Sequence, residues 1–266
     1  MRVRLRGAAF ALLAVGCATH QNYLDPLGPR FEGAYAISAA HERELRVVTY
    51  NIKFGRKAAE AALALRTHPS LRNPDILVLQ EMEAGGVELM ARELGLNYVY
   101  FPASHDPKNG RDMGNAILSP WPIEESWKVL LPHPARVNHR ARAAVAARLC
   151  VDGLALRVYS VHLGSPLGIG GGARREQAET VIRDAQASAE PVVLAGDFNS
   201  HGVGQAFAAA GFSWPTERVG RSAGLFSFDH VFLRGLATRR PPTAGVERAA
   251  DKASDHRPVW VVLPLE

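Results

Sequence analysis

Residues 193–200 read VLAGDFNS, an apolar run that passes through a glycine into a carboxylate, an aromatic, an amide and a hydroxyl. Side chains on a strand alternate faces, so residues i and i+2 project the same way. Asp197 and Asn199 share one site at a strand end if extended geometry persists that far; otherwise Asp-Phe-Asn-Ser is the turn that stops the strand. The same kind of ending recurs along the chain. VVTYN ends at Asn51, ILVLQE at Glu81, RVYSVH at His162 and FSFDH at Asp229 and His230, while KASDHRP carries Asp255 and His256 ahead of the last apolar run. Turn preference accounts for Asn and Asp in such places, but not for Glu or His.

The chemistry that uses this set is phosphoester hydrolysis. Oxygen ligands such as Glu81, Asp255 and the Asn51 amide suit a hard divalent cation, Mg²⁺ or Mn²⁺. Zinc takes more His and Cys ligands, and the chain has neither HExxH nor CxxC. A bound cation polarises a phosphoryl oxygen. Asp197 is placed to orient or deprotonate a water, with Asn199 positioning it. A histidine beside an aspartate can be kept protonated to contact a non-bridging oxygen or to move a proton.

Such side chains need strands to carry them. LRVVTYN (45–51), NPDILVLQE (73–81), NYVYFP, the pair in GNAILSPWPIEESWKVLL (114–131), PVVLAGDFN, FSFDHVFL and RPVWVVLP read as strands. Residues 141–163 read as a hairpin turning at Asp152-Gly153. KAAEAALALRT, AGGVELMARELG up to Gly95, GGARREQAETVIRDAQASA and GQAFAAAGF read as helices. Strands outnumber helices, which predicts two packed sheets with helices outside, in one domain.

The amino terminus follows another pattern. MRVRLRG is basic and AAFALLAVG is a short apolar run, the form of an export signal and too short to span a bilayer. Cys17 follows it as in a bacterial lipobox, although Ala14 stands where Leu is usual; cleavage after Ala18 as an ordinary signal is the alternative. The expected organisation is a signal over 1–16, a tether and extended arm over 17–44 and a catalytic domain over 45–266. The expected location is outside the cytoplasm, with a lipid anchor at Cys17 and a monomeric state. Loss of residues 1–16 removes Arg2, Arg4 and Arg6 and no acid, so the net charge falls from +5 to +2. The basic pI is therefore only a weak pointer to a polyanionic partner. Cys17 and Cys150 are the only cysteines, and Cys150 reads as a small buried apolar residue.

TYNIK, LQE, GNAILSPWPI, SVHL, GDFNS, FDHVF and SDHRPV occur together in this order, and through them residues 45–264 resemble the endonuclease/exonuclease/phosphatase superfamily. The resemblance implies an α/β/β/α sandwich of two mixed sheets and a metal-dependent phosphohydrolase. It further implies Asn51 and Glu81 as the metal pair, Asp197 and Asn199 as the water-activating and orienting pair, and His256 at the scissile phosphate. Asp229 would orient His256, Asp255 would be a further metal or network residue, and His162 would be the second phosphate-contacting histidine. His230 should face away from Asp229 by alternation and be structural. Asn115 is a candidate substrate contact, with turn chemistry ahead of a strand as the plain alternative. Arg140 and Arg142 alternate with small residues; Arg142 is a candidate phosphate contact, and a solvated strand face is the plainer reading. The four tryptophans are scattered and read as core or rim anchors. Short basic patches at 135–142, at Arg174-Arg175 and at TRRPP are compatible with solvated surface. Superfamily members act on DNA, RNA, lipids, inositol phosphates or nucleotides, so membership leaves the substrate open. Asp112 stands where abasic-site endonucleases tend to carry Tyr, which argues against that subgroup. Nucleic acid is the favoured substrate, phospholipid, sphingomyelin or inositol phosphate the alternative, and a non-catalytic binding lipoprotein the alternative of another class.

Overall fold

The computed structural model describes residues 20–37, 44–250 and 252–266. The expected export signal, Cys17 and residues 38–43 of the expected arm lie outside the described residues. In chain order come β1 (Gln21–Asn22), β2 (Phe31–Gly33), β3 (Glu44–Asn51), α1 (Ala58–Thr67), β4 (Ile76–Met82), α2 (Ala84–Leu94), β5 (Asn97–Asp106), β6 (Arg111–Ser119) and β7 (Ile123–Leu130). Then follow β8 (Ala143–Val151), β9 (Leu154–His162), α3 (Gly171–Gln186), β10 (Val192–Asp197), α4 (Gly204–Ala209), β11 (Asp229–Arg234), β12 (Thr243–Val246) and β13 (Val259–Pro264). Every helix and strand read from the sequence is present; β1, β2 and β12 are additional.

One sheet runs β1-β5-β6-β4-β3-β13-β12, with β2 also on β5; the other runs β11-β10-β9-β8-β7. Each is mixed, with β3/β4 parallel in the first and β9/β10 parallel in the second. Apolar side chains of α1 and α2, such as Leu65 and Met90, pack on Val48, Tyr50 and Leu79 of the first sheet. Val181 of α3 and Phe207 of α4 pack on Tyr159, Leu194 and Phe232 of the second. Val47, Val78, Val145, Val158, Val193 and Val231 meet between the sheets. The result is the four-layer α/β/β/α sandwich. Strands covered on both faces need apolar residues on both, which is why ILVLQ and VVLAG read as unbroken apolar runs.

Local signals set the boundaries. Gly95 takes φ 65 and stops α2, as a glycine can without a Cβ penalty. Asp152 and Gly153 take φ 53 and 85, the primed-turn geometry of a tight hairpin. β1 and β2 lie antiparallel on β5, with Gln21 opposite His105 and Phe31 opposite Tyr100. The Lys128 ammonium, buried beneath them, donates to Tyr23 O (2.7 Å), Gly28 O (2.9 Å) and Pro102 O (3.3 Å). No helix among the described residues is long and apolar enough to cross a membrane.

Candidate active site

Alternation carries the inter-sheet faces from apolar to polar at one end of the sandwich. Leu45 and Val47 of β3, Leu156 and Val158 of β9, Val193 and Ala195 of β10, and Val231 and Leu233 of β11 lie in the middle core. Two residues further along the same faces stand Thr49, Ser160, Asp197 and Asp229. Thr49 Oγ1 donates to Gln80 Oε1 (3.2 Å), Gln80 Nε2 to Ser160 Oγ (3.2 Å) and Ser160 Oγ to Leu79 O (3.1 Å). This buried layer links the sheets, and its polar groups are satisfied, as burial requires. Asn115 belongs to it, its Nδ2 donating to Ala143 O (2.9 Å) and Ser160 O (3.2 Å). The structure thus gives the Asn115 Nδ2 an inter-sheet bridge and places the residue in a strand rather than in a turn. Asn115 also lies inside β6, where a Cβ on the preceding Gly114 would sit 2.1 Å from Phe101 O.

Above that layer the strand ends converge on Asp197, whose carboxylate is almost fully buried. Asn51 Nδ2 donates to Asp197 Oδ2 (2.9 Å), and the Asn199 backbone N–H donates to Oδ1 (2.8 Å). Strand pairing ends at Asp197 and Asn199 takes φ 51, so the two side chains are not related by strand alternation. Asp-Phe-Asn is a turn closed on the Asp197 carboxylate, and the Asn199 Nδ2 donates to Leu163 O (3.1 Å). Gly196 is obligatory just before it, since a Cβ there would lie 2.0 Å from Val161 O. Burial, then the like charge of Asp229, push the Asp197 carboxyl up to about 7, despite His256 and the bonds from Asn199 and Asn51.

Two histidines flank Asp197 in opposite protonation states. His256 Nε2 lies 3.8 Å from Asp197 Oδ2, and its Nδ1 lies 2.9 Å from Asp229 Oδ2. Burial alone would lower His256, but Asp229 overrides it, with help from Asp197 and Asp255, and raises the ring to about 10. His256 is therefore an imidazolium at neutral pH, with Nδ1–H donated to Asp229 and Nε2–H free for a substrate oxygen. His162 Nε2 lies 3.4 Å from the same Asp197 oxygen, and its Nδ1 accepts from Arg142 Nη1 (3.0 Å). Burial, and then Arg142 and Arg140, hold His162 well below the usual range. Since a guanidinium only donates, neutral His162 carries its proton on Nε2.

Glu81 sits where β4 bulges, at φ 58, a left-handed conformation that costs a non-glycine residue of order 1–2 kcal/mol. The bulge brings Oε1 to 3.9 Å from His162 Nε2 and 4.0 Å from Arg142, while Oε2 accepts from Phe54 N (3.3 Å). Asn51 Oδ1 accepts from Lys53 N (3.2 Å). Among the described residues Asp197, Asp229 and His256 also bring potential ligand atoms within 4.8 Å of one another. Asp229 Oδ1 is buried with no partner. A divalent cation fits the oxygens of this site: the carboxylates of Glu81, Asp197 and Asp229 and the Asn51 amide suit a hard ion, the Asp229 Oδ1 lacks a hydrogen-bond donor, and the charged His256 ring is not counted among them. Asp255 does not join the cluster, because its half-exposed carboxylate pairs with Lys53 Nζ at 2.8 Å.

Other expectations need correction. Arg142 is no solvated strand residue: it precedes β8 and turns inward onto His162. Arg174 is buried and braces a loop by donating to Gly164 O (2.8 Å) and Ile169 O (3.2 Å). Cys150 is partly exposed rather than buried. His230 faces away from Asp229, packed against Phe198, His201 and Trp214. Supporting serines escaped the sequence reading. Ser222 Oγ accepts from Asp229 N (3.1 Å), and Ser254 Oγ donates to Asn51 O (2.7 Å). Ser254 opens SDH and carried some signal; Ser222 carried none.

The sequence profile described as Endonuclease/Exonuclease/phosphatase family matches residues 48–256. No curated protein matches the sequence. Among solved structures, the human Nocturnin catalytic domain with bound sulfate is similar at TM-score 0.65 and 16% identity, over 90% of this chain and 97% of that one. A mannosyl-6-phosphatase of Bacteroides thetaiotaomicron is similar at TM-score 0.61 and 20% identity, over 82% of this chain and 98% of that one. A humanized TDP2 of D. rerio gives TM-score 0.61 and 20% identity, over 83% and 99%. At these identities the likeness is one of fold.

Proposed function

Because this chain belongs to the endonuclease/exonuclease/phosphatase family of phosphoester hydrolases, we propose that it is a Mg²⁺- or Mn²⁺-dependent phosphodiesterase acting on nucleic acid. The observation that carries the reading is Asp197 held between a charged and a neutral histidine, with Arg142 behind the neutral one. Asp197, raised to about 7, is matched to accept a proton from water near neutral pH. Asn51 and the Asn199 N–H orient its carboxylate. His256, locked by Asp229, donates Nε2–H to a non-bridging phosphoryl oxygen, and Arg142 supplies a second positive charge to the developing trigonal-bipyramidal phosphorus centre. Glu81 and Asn51 would hold the cation, which when bound supplies Lewis-acid polarisation of the phosphate. A ring kept protonated by Asp229 is a donor and not a ligand, which sets His256 apart from that task.

Positive charge on both flanks favours a polyanion: Arg140 beside Arg142, and Arg56 lying over Phe54, whose N–H binds Glu81. A second reading, an amphiphilic phosphoester, draws on exposed Leu225 and Phe226 in the loop bridged through Ala223 to His256. We also propose action outside the cytoplasm as a monomer tethered through Cys17; mass spectrometry of the mature amino terminus tests the tether. Hydrolysis of DNA, RNA, sphingomyelin and inositol phosphates with Mg²⁺, Mn²⁺ or chelator decides the substrate. Metal-dependent cutting of nucleic acid is expected, cleavage of lipid alone moves the function to the second reading, and inactivity on every substrate leaves a binding protein.

A further inference from the structure

Arg140 is the cation that the reaction does not use. Among the described residues its guanidinium makes no hydrogen bond or ion pair, and its Nη2 is buried without a partner. Its neighbours differ: Arg142 is held by His162 and Glu81, and Arg174 by two backbone carbonyls. Burial, and then the charge of Arg142, pull Arg140 down to about 9. Glu81 and Asp106 act on this half-buried cation only from a distance and neither pairs with it, so its guanidinium is left able to receive an anion.

Arg140 lines a cavity of about 260 Å³ between loops 132–141 and 163–170, and no acidic residue lines it. Asn138, Ser165 and Arg142 add polar groups to its wall. The two loops are braced from α3 and from each other. Gln177 Nε2 donates to Pro132 O (2.7 Å) while its Oε1 accepts from Gly164 N (2.8 Å). Arg174 holds Gly164 O and Ile169 O, and Arg136 N donates to Gly168 O (3.1 Å). At about 30 Å³ per water, the space suits one tetrahedral anion with part of its hydration. Arg142 is shared between this cavity and His162, so an anion seated here adjoins the reacting phosphate without replacing it.

We propose that this cavity is a second anion subsite that binds a phosphate group of the substrate other than the one being cleaved, with Arg140 as its main contact. The inference rests on the phosphodiesterase reading and narrows it to substrates with a further phosphate close to the scissile bond. That phosphate is either the next linkage of a strand or a free phosphate on a small ester. The test compares oligothymidylates in which the linkage on either side of the cleaved bond is made neutral as methylphosphonate, and nucleoside p-nitrophenyl phosphates with and without a further phosphate. Losing the second charge should raise KM about 10- to 100-fold in the wild-type protein, the range of a charge-assisted contact. The penalty should shrink to a few-fold in Arg140→Gln and return in part in Arg140→Lys. The arm that shows it identifies the source. An Arg140→Gln loss equal on all substrates, or no penalty for neutralisation in the wild type, overturns the subsite. If no phosphodiester is cut, the phosphodiesterase reading fails and calorimetric titration with inorganic phosphate decides: at least about tenfold weaker binding to Arg140→Gln keeps the subsite, and equal binding rejects it.

Discussion

Asp229→Asn removes the charge that keeps His256 protonated while retaining the shape of the pair. In the folded protein His256 is raised from 6.5 to about 10, with Asp229 the leading favourable influence. The rise corresponds to about 5 kcal/mol of preference for the imidazolium. Without Asp229, burial opposes the charge and only the weaker pull of Asp197 and Asp255 is left against it, so the ring should fall back to about its ordinary value. At pH 8 the protonated fraction then falls about 30-fold, whereas at pH 6 most rings still carry the proton. Asp197 moves the same way, since Asp229 is the second cause of its rise to about 7. Both limbs of the rate profile should therefore shift to acid, with about 30-fold lost at pH 8 and most of it regained near pH 6. The sign for stability follows: a histidine whose folded pKa is raised stabilises fully below 6.5 and loses that contribution as pH climbs through 10. Asp229→Asn should thus destabilise at pH 6 more than at pH 10. The assay is kcat/KM against pH on a chromogenic phosphodiester, with the His256 Cε1–H resonance followed by NMR. An alkaline limb that stays above about 9 in the variant refutes the assignment of His256 as the Asp229-held acid.

Asp197→Ala should lower kcat by at least about 10²-fold with KM little changed, and chelator should silence the wild type; metal-independent turnover would contradict both. Glu81→Gly should raise stability by about 1 kcal/mol, a few degrees in Tm, because it removes a side chain from φ 58, while hydrolysis and calorimetric Mg²⁺ binding are lost. Gly196→Ala should cost more than about 3 kcal/mol by denaturant titration, because its Cβ would lie 2.0 Å from Val161 O in the parallel β9/β10 pair. Lys128→Met should leave three carbonyls without their donor, lose about 2–4 kcal/mol and open residues 20–37 to proteolysis before the rest of the domain.

Much of the molecule was legible along the chain. Apolar runs and turn signals gave the order of strands and helices, because burial on both faces of a sheet leaves a pattern that no fold is needed to see. Residue types ending those runs pointed to phosphoester chemistry before any geometry, since Glu and His at strand ends have no turn role to explain them. The arm strands and β12 escaped because two to four residues carry no period. Arg142 and Arg174 were misread as surface because charge alone says nothing about which way a side chain turns.

Sequence by itself determined which side chains are available and roughly where each strand stops. Tertiary structure alone decided what each side chain does. Of the two readings open for Asn199, a strand-face partner or a turn, folding chose the turn, and it set the Asn115 Nδ2 as a bridge between the sheets. His162 and His256 are the same residue type at similar strand-end positions, yet one is neutral and the other charged. The physical reason is that protonation follows burial and the local field together. Burial, with the charges of Arg142 and Arg140 adding to it, strips His162 of its proton, while a buried carboxylate holds the proton on His256, and those surroundings come from parts of the chain that only folding brings together.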